Sequence, residues 1–262
     1  MNRSPLNGWA VYPSRNPNAS LRLFCFPYAG GGATIFSAWP RSLPPEVEVV
    51  AVQPPGREAR IGEKAYGDLA QLVDAMHPQL LPHMDRPFAF YGHSNGGLMA
   101  FELARTLRRT GGPMPLHMFI GGRPAPQLEV DEEKIHALPH DEFLDALRRF
   151  AGTPEEILQN AEIMELIEPL LRADFSLGET YAYTPEPPLD LPISSYGGVR
   201  DEEVDEDEVE AWREQTMREF RLKMFPGDHF FINGNRAEVL QEISQELRPL
   251  LATLGRSGAH AW

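Results

Sequence analysis

Six short stretches read as strands, and most of them are continuous apolar runs: Leu21–Phe26, Val47–Gln53, Pro87–Tyr91, Leu116–Gly121, Pro192–Gly197 and Phe220–Phe225. Unbroken apolar runs, in place of alternating ones, mark parallel strands covered on both faces. Helical periodicity fills much of the space between the first four, notably over Tyr66–Leu81 and Gly96–Arg109. A last helix is expected over Arg236–Leu251, where Val239, Leu240, Ile243, Leu247, Leu250 and Leu251 recur at helical spacing. Strands alternating with helices predict right-handed crossovers and a doubly wound, mostly parallel α/β sheet.

The alternation breaks between Gln127 and Thr184, which offer helical segments such as "DEEKIHALPHDEFLDALRRFAG" and "AEIMELIEPLLRADFSLGETYAYT" but no strand. Residues 127–184 therefore read as an insertion between core segments 1–126 and 185–262, placed at the edge of the sheet where open α/β folds build their sites. A helical lid or chamber wall is the expected role. Phe143, Leu147, Phe150, Met164, Leu166, Leu170 and Phe175 are its candidates to face the chamber or the core. For any one of them, packing helix against helix is an equally ordinary use.

Composition narrows the class. A chain of 262 residues, 42% hydrophobic and 24% charged, can bury the core of one large domain carrying an insertion. No apolar run approaches a membrane span, and "MNRSPLNGWAVYPSRNPNAS" has no apolar signal-peptide core. A single cysteine, Cys25 in "LRLFCF", excludes an internal disulfide and suits a reducing, cytoplasmic setting. It reads as a buried strand thiol. A net charge of −14 argues against nucleic acid as a general partner. Much of that charge lies in Asp201–Glu210, with eight acids in ten residues. This run reads as a solvated helical face whose other side carries Val204, Val209, Trp212 and Thr216; a calcium loop of EF-hand type would need a glycine that is missing.

The chemistry is concentrated in "FAFYGHSNGGLMAFELA", Phe88–Ala104, where Gly92-His93-Ser94-Asn95-Gly96 sits between a strand and a helix. G-x-S-x-G in that context is a nucleophile elbow, which holds Ser94 in a strained conformation with its hydroxyl projecting from the top of the sheet. A serine hydroxyl needs a base. Five histidines follow it: His117 within a strand, His136 and His140 in the insertion, His260 near the end, and His229 in "FPGDHFFI", just past the last strand. His229 is the best placed. Asp201 follows the preceding strand and is the leading partner for that histidine, giving the order Ser94, Asp201, His229; Asp174, Asp190, Asp205, Asp207 and Asp228 remain alternatives. Oxyanion donors are expected from the backbone N–H of Asn95 and from Tyr28 or Ala29 in "FPYAGGGATIFSAW". No GK[ST] follows those glycines, and no H-E-x-x-H or close ligand spacing suggests a metal.

Together "LFCFPYAGGGATIFSAWP", "VVAVQPPGRE", "FYGHSNGGLMAFELARTLR", "PISSYGGVRDEEV" and "FPGDHFFI" resemble the type II thioesterases of polyketide and nonribosomal peptide synthesis. They are also similar to the medium-chain acyl thioesterase that acts with animal fatty acid synthase. The resemblance spans Leu21 to Leu251 and implies an α/β-hydrolase fold with Ser94 as nucleophile, Asp201 as acid and His229 as base. It further implies hydrolysis of acyl or aminoacyl groups from the phosphopantetheine arm of an acyl or peptidyl carrier protein, clearing misprimed or stalled units. No cofactor of the enzyme's own is expected, and a monomer is. The family commonly has Met after the nucleophile, where this chain has Asn95. No fused carrier domain is evident, which suggests a stand-alone hydrolase. An esterase or lipase on free oxoesters, an acyl-transferring or cyclising enzyme, and a non-catalytic binding protein are the alternatives. Carrier proteins of this kind are typically acidic, so docking on an acidic chain calls for a local basic or apolar patch, with Arg57, Arg60, Arg123, Arg148 and Arg149 as candidates. For any single one of them, pairing with the chain's own acids is the more ordinary use.

Overall fold

The computed structural model describes residues 8–128, 134–150 and 152–258. His260 lies outside them. Seven strands form one sheet: β1 (Ala10–Val11), β2 (Leu21–Phe26), β3 (Val47–Val52), β4 (Phe88–His93), β5 (Met118–Gly121), β6 (Ile193–Gly198) and β7 (Phe220–Phe225). Their spatial order is β1-β3-β2-β4-β5-β6-β7, with only β1 running antiparallel to its neighbour. The helices are α1 (Leu69–Leu80), α2 (Asn95–Thr110), α3 (His140–Arg149), α4 (Glu155–Leu158), α5 (Ala161–Glu179), α6 (Glu206–Glu210), α7 (Phe231–Gly234) and α8 (Arg236–Gly258).

Side-chain alternation along the strands divides the core in two. Phe24 and Phe26 of β2, Val50 and Val52 of β3, and Phe88 and Phe90 of β4 point to the face covered by α1 and α2, meeting Leu72, Met76, Leu103 and Leu107. Leu23, Val49 and Tyr91 point the other way, onto Val239, Ile243 and Leu247 of α8. Cys25 is buried on that second face, so its thiol is a packing group. Both faces being covered explains why the central strands read as unbroken apolar runs. The edge strand β7 alternates in exposure instead, because only one of its faces is covered.

Several elements differ from the sequence reading. The two-residue strand β1 is too short for a hydrophobic pattern and is held by pairing with Ala51 and Val52. Helix α1 starts at Leu69, three residues later than its periodicity suggests, because the Asp68 carboxylate caps it by accepting the Gln71 N–H at 2.8 Å. Helix α8 continues past Leu251 to Gly258. His117 stands just before β5, not within it; its Nε2 lies 2.8 Å from Ser194 Oγ. Only the second half of the acidic run is helical, as the short α6, and Val204, Val209 and Trp212 in and around it are buried.

Helices α3 to α5 lie between β5 and β6 in the chain and build their own apolar cluster from Phe143, Leu147, Leu158, Met164 and Leu171. Helix α5 reaches back to the sheet: Leu177 joins the core under α2, and Ser176 Oγ donates to the Gly67 carbonyl at 2.8 Å. No helix among the described residues is long and apolar enough to cross a membrane.

The turn from β4 into α2 positions everything that follows. A Cβ on Gly96 would strike the Phe26 carbonyl, and one on Gly92 would strike the Gly96 carbonyl. Gly111 ends α2 with φ of 67°, and a Cβ there would meet nothing within 4 Å. Gly111→Ala should therefore cost only the left-handed backbone strain, about 1–2 kcal/mol. Gly96→Ala must displace backbone and should cost more, ~3 kcal/mol or above. Chemical denaturation of the two variants measures the difference, and equal midpoints would contradict the close approach.

Candidate active site

Ser94 occupies the N-cap of α2 with φ 52° and ψ −120°, one of two non-glycine residues with positive φ among those described. Strained backbone of this kind persists only where its surroundings over-determine it. Here the buried β4 strand fixes one side and the first turn of α2 the other: Ser94 N–H donates to the Gly121 carbonyl at 2.7 Å, and its carbonyl accepts the Gly97 N–H at 2.8 Å. Asn95 is the first helical residue, so its N–H has no intrahelical carbonyl to bond.

The loops after β6 and β7 interlock. Arg200 N–H donates to the Gly227 carbonyl at 2.8 Å, and Gly198 packs so closely on Asp228 that a Cβ would strike its carbonyl. That contact brings Asp201 to His229. The imidazole Nδ1 lies 2.9 Å from Asp201 Oδ2, while Asp201 Oδ1 accepts the N–H groups of Glu203 at 2.9 Å and Val204 at 3.2 Å. The Asp201 side chain is fully buried, and its acceptors are all directed at N–H donors. A carboxylate oxygen can only accept here, so the hydrogen of the imidazole sits on Nδ1 and Nε2 is left with its lone pair.

His93 holds the backbone of His229. Its Nε2–H donates to the His229 carbonyl at 2.8 Å, and Tyr91 Oη lies 3.2 Å from its Nδ1. Because a carbonyl can only accept, Nε2 carries the hydrogen and Nδ1 accepts from tyrosine. Burial, followed by the nearby His229, lowers the His93 pKa to about 3, so this ring stays neutral. The sequence reading treated His93 only as the residue before the serine; its long-range contact with residue 229 has no local signature.

Ser94, Asn95, Tyr28, Ala29 and His229 line one cavity of about 110 Å³. A single water needs only ~10–15 Å³ by this measure, so the space admits a small organic group. Of the side chains expected from the insertion, Leu147, Phe150 and Phe175 line it. Phe143 and Met164 do not; they are buried within the helical cluster and are corrected to packing residues. Leu170 also faces elsewhere, toward Gly56, and Leu166 is 60% exposed. Leu171 and Gly178 line the cavity and were missed. They sit at i and i+7 around Phe175 on α5, one helical face that its apolar periodicity alone does not separate from the neighbouring face of Leu170, Asp174 and Leu177.

The competing acids have other partners. Asp174 pairs with Arg57, Asp190 with Arg218, and Asp228 accepts the Phe230 N–H at 2.9 Å. Asp205 heads α6, with its N–H donating to Glu208, and Asp207 lies within that helix. Among the other histidines, His136 bonds Glu179 and His140 bonds Glu168. Two docking candidates are corrected by burial and pairing: Arg57 is only 3% exposed, and Arg60 bonds Glu63 and lies over the Trp9 ring. Among the described residues no group of three or more His, Cys, Asp or Glu side chains is placed to hold a metal.

A family model for the thioesterase domain matches residues 21–247. The chain belongs to the thioesterase family. The gramicidin S biosynthesis protein GrsT of Aneurinibacillus migulanus is 45% identical to this thioesterase over 95% of this chain and 97% of its own. Among solved structures, RedJ, a thioesterase from the prodiginine pathway of Streptomyces coelicolor, is 38% identical with a TM-score of 0.82, covering 87% of this chain and 91% of that one. The type II thioesterase BorB from the borrelidin cluster is 34% identical with a TM-score of 0.84, covering 95% of this chain and all of that one, at 100%. The α/β-hydrolase fold expected from the sequence is thus that of this thioesterase, and with it the serine-hydrolase class.

Burial gives this thioesterase a defined response to acid. His93 and His117 are both lowered to about 3, chiefly by burial, with His229 and Arg221 respectively adding to the effect. Unfolding returns each ring to a pKa near 6.5, so below that value the unfolded chain takes up protons that the fold excludes. Their contribution to stability is full above about pH 6.5 and is lost progressively as pH falls toward 3. Glu246, raised by burial beside Ser194 and Tyr196, offsets part of this because the folded carboxyl takes up its proton first. The melting temperature should fall between pH 7 and pH 5, and His93→Gln and His117→Gln should each flatten that slope. An unchanged slope in both variants would assign acid sensitivity to other groups.

Proposed function

We propose that this thioesterase hydrolyses acyl or aminoacyl thioesters carried on the phosphopantetheine arm of a partner carrier protein, releasing misprimed or stalled units. The observation that carries the reading is the convergence on one cavity of a strained elbow serine and a histidine oriented by a buried aspartate. The biosynthetic roles of GrsT and RedJ support the carrier-bound substrate. A phosphopantetheine arm is long and thin, suited to delivering a thioester to a serine beneath helices α3 and α5.

In this mechanism Ser94 Oγ attacks the thioester carbonyl while His229 Nε2 takes its proton. Asp201 holds the imidazole and stabilises the imidazolium that forms. The tetrahedral oxyanion is stabilised by the N–H of Asn95 and one from the Tyr28–Ala29 loop. His229 returns its proton to the departing pantetheine sulfur, then activates water against the acyl-serine. Hydrolysis leaves a carboxylic acid and a free thiol on the carrier, which is again available for loading. The chemistry uses only side chains and backbone, and the phosphopantetheine belongs to the partner. Leu147, Phe150, Leu171 and Phe175 form the wall against which the acyl group packs.

Ser94→Ala and His229→Ala should each lower kcat for an acyl-carrier thioester by ~10³-fold or more, and Asp201→Asn by about 10²–10⁴-fold. Steady-state kinetics on purified, folded variants provides the check. Near-normal turnover by Asp201→Asn would move the acid role to another residue. Hydrolysis of simple oxoesters as fast as carrier-bound thioesters would replace the carrier reading with that of a general esterase.

A further inference from the structure

Asp174 is the most deeply buried acid of helix α5, with its side chain only 1% exposed. Its carboxylate closes a bidentate pair with Arg57, Oδ2 to Nη1 and Oδ1 to Nη2, both at 2.8 Å. Oδ2 also accepts the Gly30 N–H at 2.7 Å, and the same Arg57 Nη1 donates to the Gly31 carbonyl at 2.9 Å. The backbone of Asp174 makes a second connection: its carbonyl accepts from Asn95 Nδ2 at 2.6 Å. One residue of α5 thus grips both segments that carry the oxyanion donors, the loop after β2 and the first turn of α2. Gly30 has φ 73°, and a Cβ there would lie 2.8 Å from Leu171 Cδ2, so the loop is seated directly under the helix.

A buried ion pair is weak evidence for stability, because desolvation cancels most of its attraction. Its directional bonds do fix geometry. Oxyanion donors act only when held ~2.7–3.1 Å from the developing charge, and a misplacement of about 1 Å can cost ~10² in rate.

We infer that Asp174 is a positioning residue for the oxyanion hole, so that thioester cleavage requires helix α5 to be seated. The inference rests on the roles proposed above for Ser94, Asn95 and the Tyr28–Ala29 loop. The amide side chain of Asn95 has a place in it: it ties the donor-bearing turn to α5.

The test compares the wild type with Asp174→Leu/Arg57→Met, which removes both buried charges together and leaves neither unpaired. Asn95→Leu, which keeps the backbone N–H, is the second variant. Folding is checked by circular dichroism and melting. Two pantetheine ligands are used: an acyl trifluoromethyl ketone and a non-hydrolysable thioether. Ser94 Oγ adds to the ketone carbon, its proton passes to His229, and the resulting oxyanion occupies the hole; the thioether reports ground-state binding alone.

In the double variant kcat should fall ~10²-fold and the ketone should bind weaker by a similar factor. KM and thioether binding should stay within about 3-fold. Asn95→Leu should show the same pattern more weakly. A folded double variant with wild-type kcat, or equal losses for both ligands, would overturn the inference and leave Asp174 as a packing contact between α5 and the core. Where the double variant does not fold, Asp174→Asn, which loses the ion pair, is measured in the same way, and unchanged kcat and ketone binding overturn the inference. A wild type that binds the ketone no tighter than the thioether would sink the serine mechanism itself, and this inference with it.

Discussion

At Gly96 the first turn of α2 passes so close to the end of β2 that the Phe26 carbonyl occupies the space a side chain would need. Gly92 is pressed in the same way against the Gly96 carbonyl and the Gly97 nitrogen. This backbone crossing leaves Ser94 no relaxed conformation. Its positive φ costs on the order of 1–3 kcal/mol, held in place by the two apolar layers that trap β4 and α2. The position of Ser94 is thus a property of main-chain packing, and the Asn95 N–H, proposed above as the first oxyanion donor, follows it directly at the start of α2.

The rest of the site is joined to that crossing by directional bonds. Asp201 and His229 come from separate strand ends and meet because the loops after β6 and β7 bond each other. His93, one residue before the serine, holds the carbonyl of His229. Helices α3 to α5 have an apolar cluster of their own, and α5 meets the serine region through Asp174, Asn95 and Arg57. Apolar packing defines each body, while single hydrogen bonds set how the bodies register at the cavity.

That division explains what could be read from the residues alone. The central strands, the elbow and the covering helices announce themselves through local patterns, since burial on both faces and a tight turn each restrict residue type. Strand β1 does not, because two residues carry no periodicity and its existence depends on β3. Arg57 and Asp174 are 117 residues apart, and no spacing rule links them, so Arg57 reads as a surface cation and Asp174 as a spare acid. On α5 the faces of Leu171–Phe175 and Leu170–Asp174 differ by one position, about 100° around the axis, and only the tertiary fold decides which one looks into the cavity. Asp201 could be ranked above its rivals by position, but its full burial and its two N–H donors become visible only in three dimensions.

Glu179 and Glu203 both line the cavity, and the acidic run continues outward from Asp201 into α6. A thioester brings no charge on its acyl carbon, whereas the acid released by hydrolysis ionises at neutral pH. Reactant and product therefore experience the same surroundings differently: the neutral acyl group packs against the apolar wall at no cost, whereas the carboxylate it becomes must give up hydration to stay there, in a lining that holds Glu179 and Glu203 along with Arg123. The asymmetry favours departure of the acid and makes re-esterification of the serine by free acids unfavourable.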